Sequence, residues 1–211
     1  MIILVIKFVK KNLVMVERFD RQSKEWDALE RRVVNAKNIA KVIAQNIDLK
    51  PHFHLGDLGA GTGLLSGFLA DKVSKITALD NSKGMLEEFL KKDFSCVKEA
   101  KLIDITKEKL DSEYDGIISS MTIHHIEDTK QLFQKLHDSL KQDGFIAIAD
   151  LDVEDGSFHS SNEGVFHYGF DFEELEEMAK EVGFGKVFTK SCGFIQKPHK
   201  SFEVKCLIGK R

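Results

Sequence analysis

From Trp26 to Ile47 the apolar residues Leu29, Val33, Ala36, Ile39, Ala40, Ile43 and Ile47 recur at three- and four-residue steps. This spacing predicts one amphipathic helix over 26–47, stopped at Lys50-Pro51. Strand and helix patterns then alternate. HFHLGDLG reads as a strand running into glycines, and Leu64, Leu65, Phe68, Leu69 and Val73 mark a helix. KITALD is a strand, followed by a helix carrying Met85, Leu86, Phe89 and Leu90. AKLIDI and YDGIISSM are further strands. Asp128 is placed to cap a helix through Leu132, Phe133, Leu136 and Leu140 that Gly144 would close. FIAIADL is a strongly apolar strand, and Asp171 with Glu174 forms a capping pair for a helix through Val182, closed by Gly183. KVFTKSCGF and SFEVKCLIGK read as a terminal antiparallel pair.

Regular alternation with apolar strands implies an α/β fold whose mostly parallel sheet is covered on both faces. Such sheets bind ligands beyond the carboxyl ends of their strands. Chemistry is therefore expected just after Leu58, Leu79, Ile103, Ser120 and Leu151.

Composition narrows the class. With 211 residues, 42% of them hydrophobic, the chain suits one domain with a sizeable core. Its 31 basic and 34 acidic residues nearly cancel, which speaks against a dedicated nucleic-acid binder. The three cysteines, Cys96, Cys192 and Cys206, show no CxxC spacing, so a reducing cytoplasm is expected rather than a disulfide scaffold. Residues 1–9, MIILVIKFV, are apolar but far shorter than the roughly 20 residues that span a bilayer. We read residues 1–18 as an N-terminal extension, either a short extra strand or an upstream start before Met15, and residues 19–211 as a single domain.

The motif with most chemistry is Asp57-Leu58-Gly59-Ala60-Gly61-Thr62-Gly63, between the first strand and a helix. Three alternating glycines let a ligand approach the backbone closely. The register is GxGxG; a dinucleotide fingerprint would need a glycine where Leu64 stands, and a Walker loop would need GK[ST]. The Asp57 carboxylate repels pyrophosphate and suits a cation, so a ligand carrying an amine or sulfonium is favoured. Asp80 ends the second strand, where an acid can accept from both ribose hydroxyls. Asp80, Asn81 and Ser82 also serve as helix caps, and both readings can hold together.

Taken in order, HLGDLGAGTG, ITALDNSKGML, LIDI, YDGIISSMTIHHIED and LKQDGFIAIADLD resemble the motifs of class I S-adenosylmethionine (SAM) dependent methyltransferases of small-molecule type, over roughly Phe19 to Lys210. The resemblance implies a Rossmann-like, doubly wound, seven-stranded sheet with an antiparallel C-terminal strand. It implies SAM as cofactor, S-adenosylhomocysteine (SAH) as product and in-line methyl displacement. Asp57, Gly59, Gly61 and Gly63 then lie under the methionine part, Asp80 with Asn81 at the ribose, Asp104 and Ile105 at the adenine, and Ser120 beside the cofactor. Met85 packs on the adenine or belongs to the core; its helical spacing fits both. Trp26 matches an aromatic cover of the methionine end, or anchors the helix start, and Phe19 opens the same segment.

Two segments are left for the acceptor. Met121-Thr122-Ile123-His124-His125-Ile126 follows the fourth strand, where His124 or His125 can act as base or orient the substrate. The loop 152–170, with Phe158, His159, Phe166, His167 and Tyr168, can line a pocket together with the helix 26–47. Its alternative is to tuck these aromatics onto the core. Neither HExxH nor CxxC supports a metal site. The expected partner is a small-molecule acceptor, with no nucleic acid and no membrane span; oligomeric state is not indicated. The competing readings are an RNA or protein methyltransferase and a non-catalytic SAM-binding subunit. An oxidoreductase is disfavoured by the glycine register.

Overall fold

The computed structural model describes residues 16–110 and 113–211. The apolar run 1–9 and Met15 lie outside them. The strands are β1 (His54–Leu58), β2 (Lys75–Asp80), β3 (Val97–Leu102), β4 (Tyr114–Ser120), β5 (Leu140–Leu151), β6 (Gly185–Gln196) and β7 (Ser201–Lys210). They form one seven-stranded sheet in the order β3-β2-β1-β4-β5-β7-β6. β1 to β5 pair in parallel, while β7 runs antiparallel to both β5 and β6. This is the architecture the alternation and the resemblance implied.

Five helices, α1 (Glu30–Asn46), α2 (Leu64–Leu69), α3 (Lys83–Lys91), α4 (Thr129–Asp138) and α5 (Phe172–Val182), cover the sheet. The pleat sends successive strand residues to opposite faces. Leu55, Ile118, Ala147 and Ala149 meet Ile39 and Ile43 of α1 and Leu65 and Leu69 of α2. Leu58, Ile117, Ile146 and Ile148 meet Leu132, Phe133 and Leu136 of α4 and Leu175 of α5. Both faces being buried is why FIAIADL is continuously apolar rather than alternating.

Three local expectations change. The predicted helix over 26–47 is two pieces, a 3-10 helix at Ser23–Ala28 and then α1, separated by extended Leu29. Tertiary contacts outweigh the helical spacing there: Asp27 is taken by Thr62 Oγ1 and Lys92, and Arg32 donates to the Trp26 carbonyl. α1 also ends at Asn46, before Lys50-Pro51. The predicted helix end at Gly144 is inside β5 instead. α4 stops at Asp138, and Leu140 pairs with Tyr114 across a bulge. A Cβ at Gly144 would stand 2.9 Å from the Lys141 carbonyl oxygen, so the glycine serves that bulge.

At α5 the Asp171 cap and the Gly183 stop both form. The Asp171 carboxylate accepts from the Glu173 N–H at 2.9 Å, and Gly183 closes α5 in the left-handed region at φ 118°. Asp171→Ala is expected to cost about 1 kcal/mol, read as a lower denaturant midpoint at unchanged slope. Among the described residues no helix is long and apolar enough to cross a membrane.

The strand order reverses between β1 and β4, so the connections leaving their carboxyl ends diverge and open a crevice.

Candidate active site

A cavity of about 420 Å³ fills that crevice. Its floor is the glycine loop. Gly59 and Gly61 sit in the left-handed region, at φ 62° and 54°. A Cβ on Gly59 would come within 2.2 Å of Thr122 Cγ2, so only glycine lets the loop pass β4's extension.

Three carboxylates line this end of the cavity. Asp57 lies beneath the loop at 1% exposure, deeper than the loop-mouth position expected of it. Burial, with Asp80 repulsion adding, pushes its carboxyl up to about 7, although the Ser66 hydroxyl donates to it at 2.6 Å. Asp80 accepts from the Gly61 N–H and the Ser82 N–H, each at 2.8 Å. Burial raises its carboxyl above the usual range against those bonds. Ser82 meanwhile caps α3, accepting from the Met85 N–H at 3.2 Å, so the loop-organising acid and the cap coexist. Asp104 is partly buried, which disfavours its charge, yet Lys107 at 2.6 Å and Thr106 Oγ1 at 2.5 Å hold its carboxyl below the ordinary range. Asn81, Ile105, Ser120 and Met85 complete this wall; Met85 is 2% exposed and belongs to both cavity and core.

The opposite wall is the N-terminal segment. Trp26 lines the cavity with the Arg32 guanidinium 3.5 Å above its ring, and Phe19 stands edge-on between Trp26 and His125. Two acids pin this cover. Asp20 accepts from Ser82 Oγ at 2.6 Å and the Gly84 N–H at 2.8 Å, and Asp27 accepts from Thr62 Oγ1 at 2.5 Å.

Three histidines also line the cavity. His124, 1% exposed, donates from Nδ1 to Asp150 Oδ1 at 2.7 Å. Asp150 is wholly buried, and it also accepts from the backbone N–H groups of Leu151 and His124. Burial opposes its charge, but His124 and these bonds hold it ionised, below the usual range. His124 Nε2 is buried with no partner among the described residues. The aspartate fixes the tautomer, so the free lone pair is on Nε2. His125 is different: its Nδ1 donates to the Gly164 carbonyl at 2.8 Å, and burial beside His124 pushes it down to about 3. His159, 4.9 Å from the His124 ring, is pushed down to about 4 by burial and the same neighbour.

Not every predicted residue reaches the cavity. Gly63 caps α2 at φ 79° against Phe89 and lies outside the lining. Phe166 and His167 hold the loop instead: the Phe166 N–H donates to the His124 carbonyl, and His167 Nε2 to the Ile126 carbonyl, both at 2.9 Å. Phe158 and His159 do line the cavity. Sequence reasoning missed Asp150, whose signal was an acid at the end of an otherwise apolar strand. It also missed Arg18, Arg31, Arg32 and Lys197, which line the cavity from segments far apart in the chain.

Residues 57–146 match the family model described as a methyltransferase domain. The malonyl-[acyl-carrier protein] O-methyltransferase of Acetivibrio thermocellus is 33% identical over 144 residues, which are 66% of this chain and 49% of that protein. Over this stretch the chain is similar to class I SAM-dependent methyltransferases. Solved structures share the methyltransferase fold. The DhpI–SAH complex superposes with a TM-score of 0.69 at 16% identity, over 91% of this chain and 93% of that one. Haemonchus contortus phosphoethanolamine N-methyltransferase 2, in complex with phosphomonomethylethanolamine and SAH, gives 0.65 at 18% identity, over 82% of this chain and 52% of that one. The chain spans about half the length of the Acetivibrio relative.

Proposed function

We propose that this chain binds SAM and transfers its methyl group to a small-molecule acceptor. The observation that carries the reading is the cavity itself, which joins Gly59, Gly61, Asp57, Asp80 and Asp104 to the Asp150–His124 pair. The residues fit the cofactor. The glycine loop leaves a cradle, the buried Asp57 carboxyl favours a cation over a phosphate, and Asp80 and Asp104 offer acceptor oxygens to a ribose and an amine. Bound SAM would supply a methyl group already activated by its sulfonium.

The chain's own residues then have defined tasks. Gly59, Gly61 and Asp57 would hold the methionine part, Asp80 with Asn81 the ribose, and Asp104 with Ile105 and Met85 the adenine. Ser120 adjoins the cofactor at the end of β4. Trp26 and Phe19 exclude water. His124 Nε2 takes the proton that the acceptor's nucleophile sheds, and Asp150 orients the ring. His125 and His159 stay neutral near pH 7, so they add no positive charge beside a cationic donor. His159 and Phe158 line the acceptor end. We read residues 19–211 as one domain with the N-terminal helical segment and loop 152–170 as its cover, acting in the cytoplasm without a nucleic-acid partner.

Asp80→Ala is expected to weaken SAH binding by about 1–3 kcal/mol, the scale of buried, charge-assisted hydrogen bonds; unchanged affinity in a calorimetric titration would leave Asp80 only a loop and helix organiser. The test of the reaction is to incubate the protein and labelled SAM with a metabolite extract. A labelled small molecule is the expected result. Label in RNA or protein alone would overturn the small-acceptor reading.

A further inference from the structure

Resting on that reading, the geometry points to an acceptor with an anionic handle, a carboxylate or a phosphate, gripped by Arg18, Arg31 and Lys197, while a separate protic nucleophile meets His124. The cavity is electrostatically divided. Asp57, Asp80 and Asp104 line one end, whereas the three cations line it from three different segments: the helical residues 16–22, α1, and the end of β6. Among the described residues none of the three is paired with a carboxylate. The nearby acid Glu154 is engaged by its own loop, accepting from the Ser157 N–H at 2.9 Å and the Phe158 N–H at 3.1 Å. Asp27, the acid beside Arg32, is held by Lys92.

These charges feel one another. Burial and the charge of Arg31 lower the Lys197 ammonium against the opposing charge of Glu154, and Lys197 and Arg18 both contribute to lowering His159. Like charges gathered with no carboxylate paired to them raise the energy of the empty site, and an anion placed among them removes that repulsion. The cofactor does not account for the cluster. SAM carries one carboxylate, which one guanidinium satisfies, and the remaining cations still face the acceptor end. Lys197 also lies 4.2 Å over the Phe158 ring, which places its charge beside the histidines rather than in bulk solvent.

Inorganic phosphate and malonate serve as probes of the handle, titrated into the SAH-loaded protein. Both are expected to bind, and whichever binds tighter identifies the handle. Arg31→Gln and Lys197→Gln should each weaken the preferred anion by roughly tenfold, while SAH affinity changes by less than about twofold. Three results would overturn the proposal: no anion binding to the wild type, equal binding in the variants, or SAH affinity falling in step with the anion. Failure of SAH itself to bind would instead contradict the cofactor reading, and the same anion comparison on the unloaded protein would still decide this one. Labelled products from the extract give a second readout. They should keep a free carboxylate or phosphate, and a product lacking either contradicts the handle.

Discussion

His124→Gln should lower kcat by about 10²–10⁴-fold, the range removed with a positioned general base, while leaving SAH affinity close to that of the wild type. The expectation comes from the two ring nitrogens having different fates. Nδ1 is spent on Asp150 at 2.7 Å, and Nε2 is buried in the cavity wall without a partner. Asp150→Asn keeps the shape but replaces the acceptor that sets the tautomer, so a large loss is expected there too. The pH profile separates this from a structural role. A base must be neutral to act, so kcat should fall as pH drops below neutrality. His125 and His159, pushed down to about 3 and 4, are already neutral there and add no limb near neutrality. The charged groups facing this cluster are Asp150 behind His124, and Arg18 and Lys197 beside His159. His125→Gln and His159→Gln should therefore keep the acidic limb, and His124→Gln should lose it. An unchanged kcat in His124→Gln would remove the base.

Asp57→Asn should stabilise the ligand-free protein at pH 8 by a few kcal/mol. The folded-state carboxyl, near 7, lies above its unfolded value of 3.8. A raised pKa means that the folded chain holds the proton more tightly. The contribution to stability is complete below the unfolded value and is lost as pH rises through the folded one. Wild type should thus lose stability between about pH 4 and pH 7 in a way the amide does not. Denaturant midpoints at pH 4.5 and pH 8 check this: the gap between wild type and Asp57→Asn should open with pH, and a constant gap would contradict it. The same substitution removes a charge facing a cationic ligand. SAM affinity should therefore fall more than that of uncharged-sulfur SAH, which shows what the destabilising carboxyl is kept for.

Much of this site could be read from local sequence, because strand ends carry it. Asp57 lies one residue before the end of β1, Asp80 ends β2 and Asp104 follows β3, and the parallel order brings those ends to one crevice without further information. The helix caps at Ser82, Asp128 and Asp171 were legible for the same reason, as each bond spans three residues or fewer. What was not legible depends on distant partners. Trp26 fits the helical period of α1, but Thr62 and Lys92 capture its neighbour Asp27 and break the helix at Leu29. Gly144 has the look of a helix stop, yet pairing of Leu140 with Tyr114 carries the strand through it. His167 looked like a pocket residue, and its ring instead ties the loop to the Ile126 carbonyl. The cations of the rim are separated by up to the length of the domain, and no spacing rule joins them.

The central claim is that the glycine loop and its three acids form a SAM site. Calorimetric titration of the purified chain with SAM, SAH and NAD tests it most directly. SAM and SAH should each bind at one site, both weakened in Asp80→Ala, and NAD should not compete. Binding of NAD in preference to SAM would contradict the account.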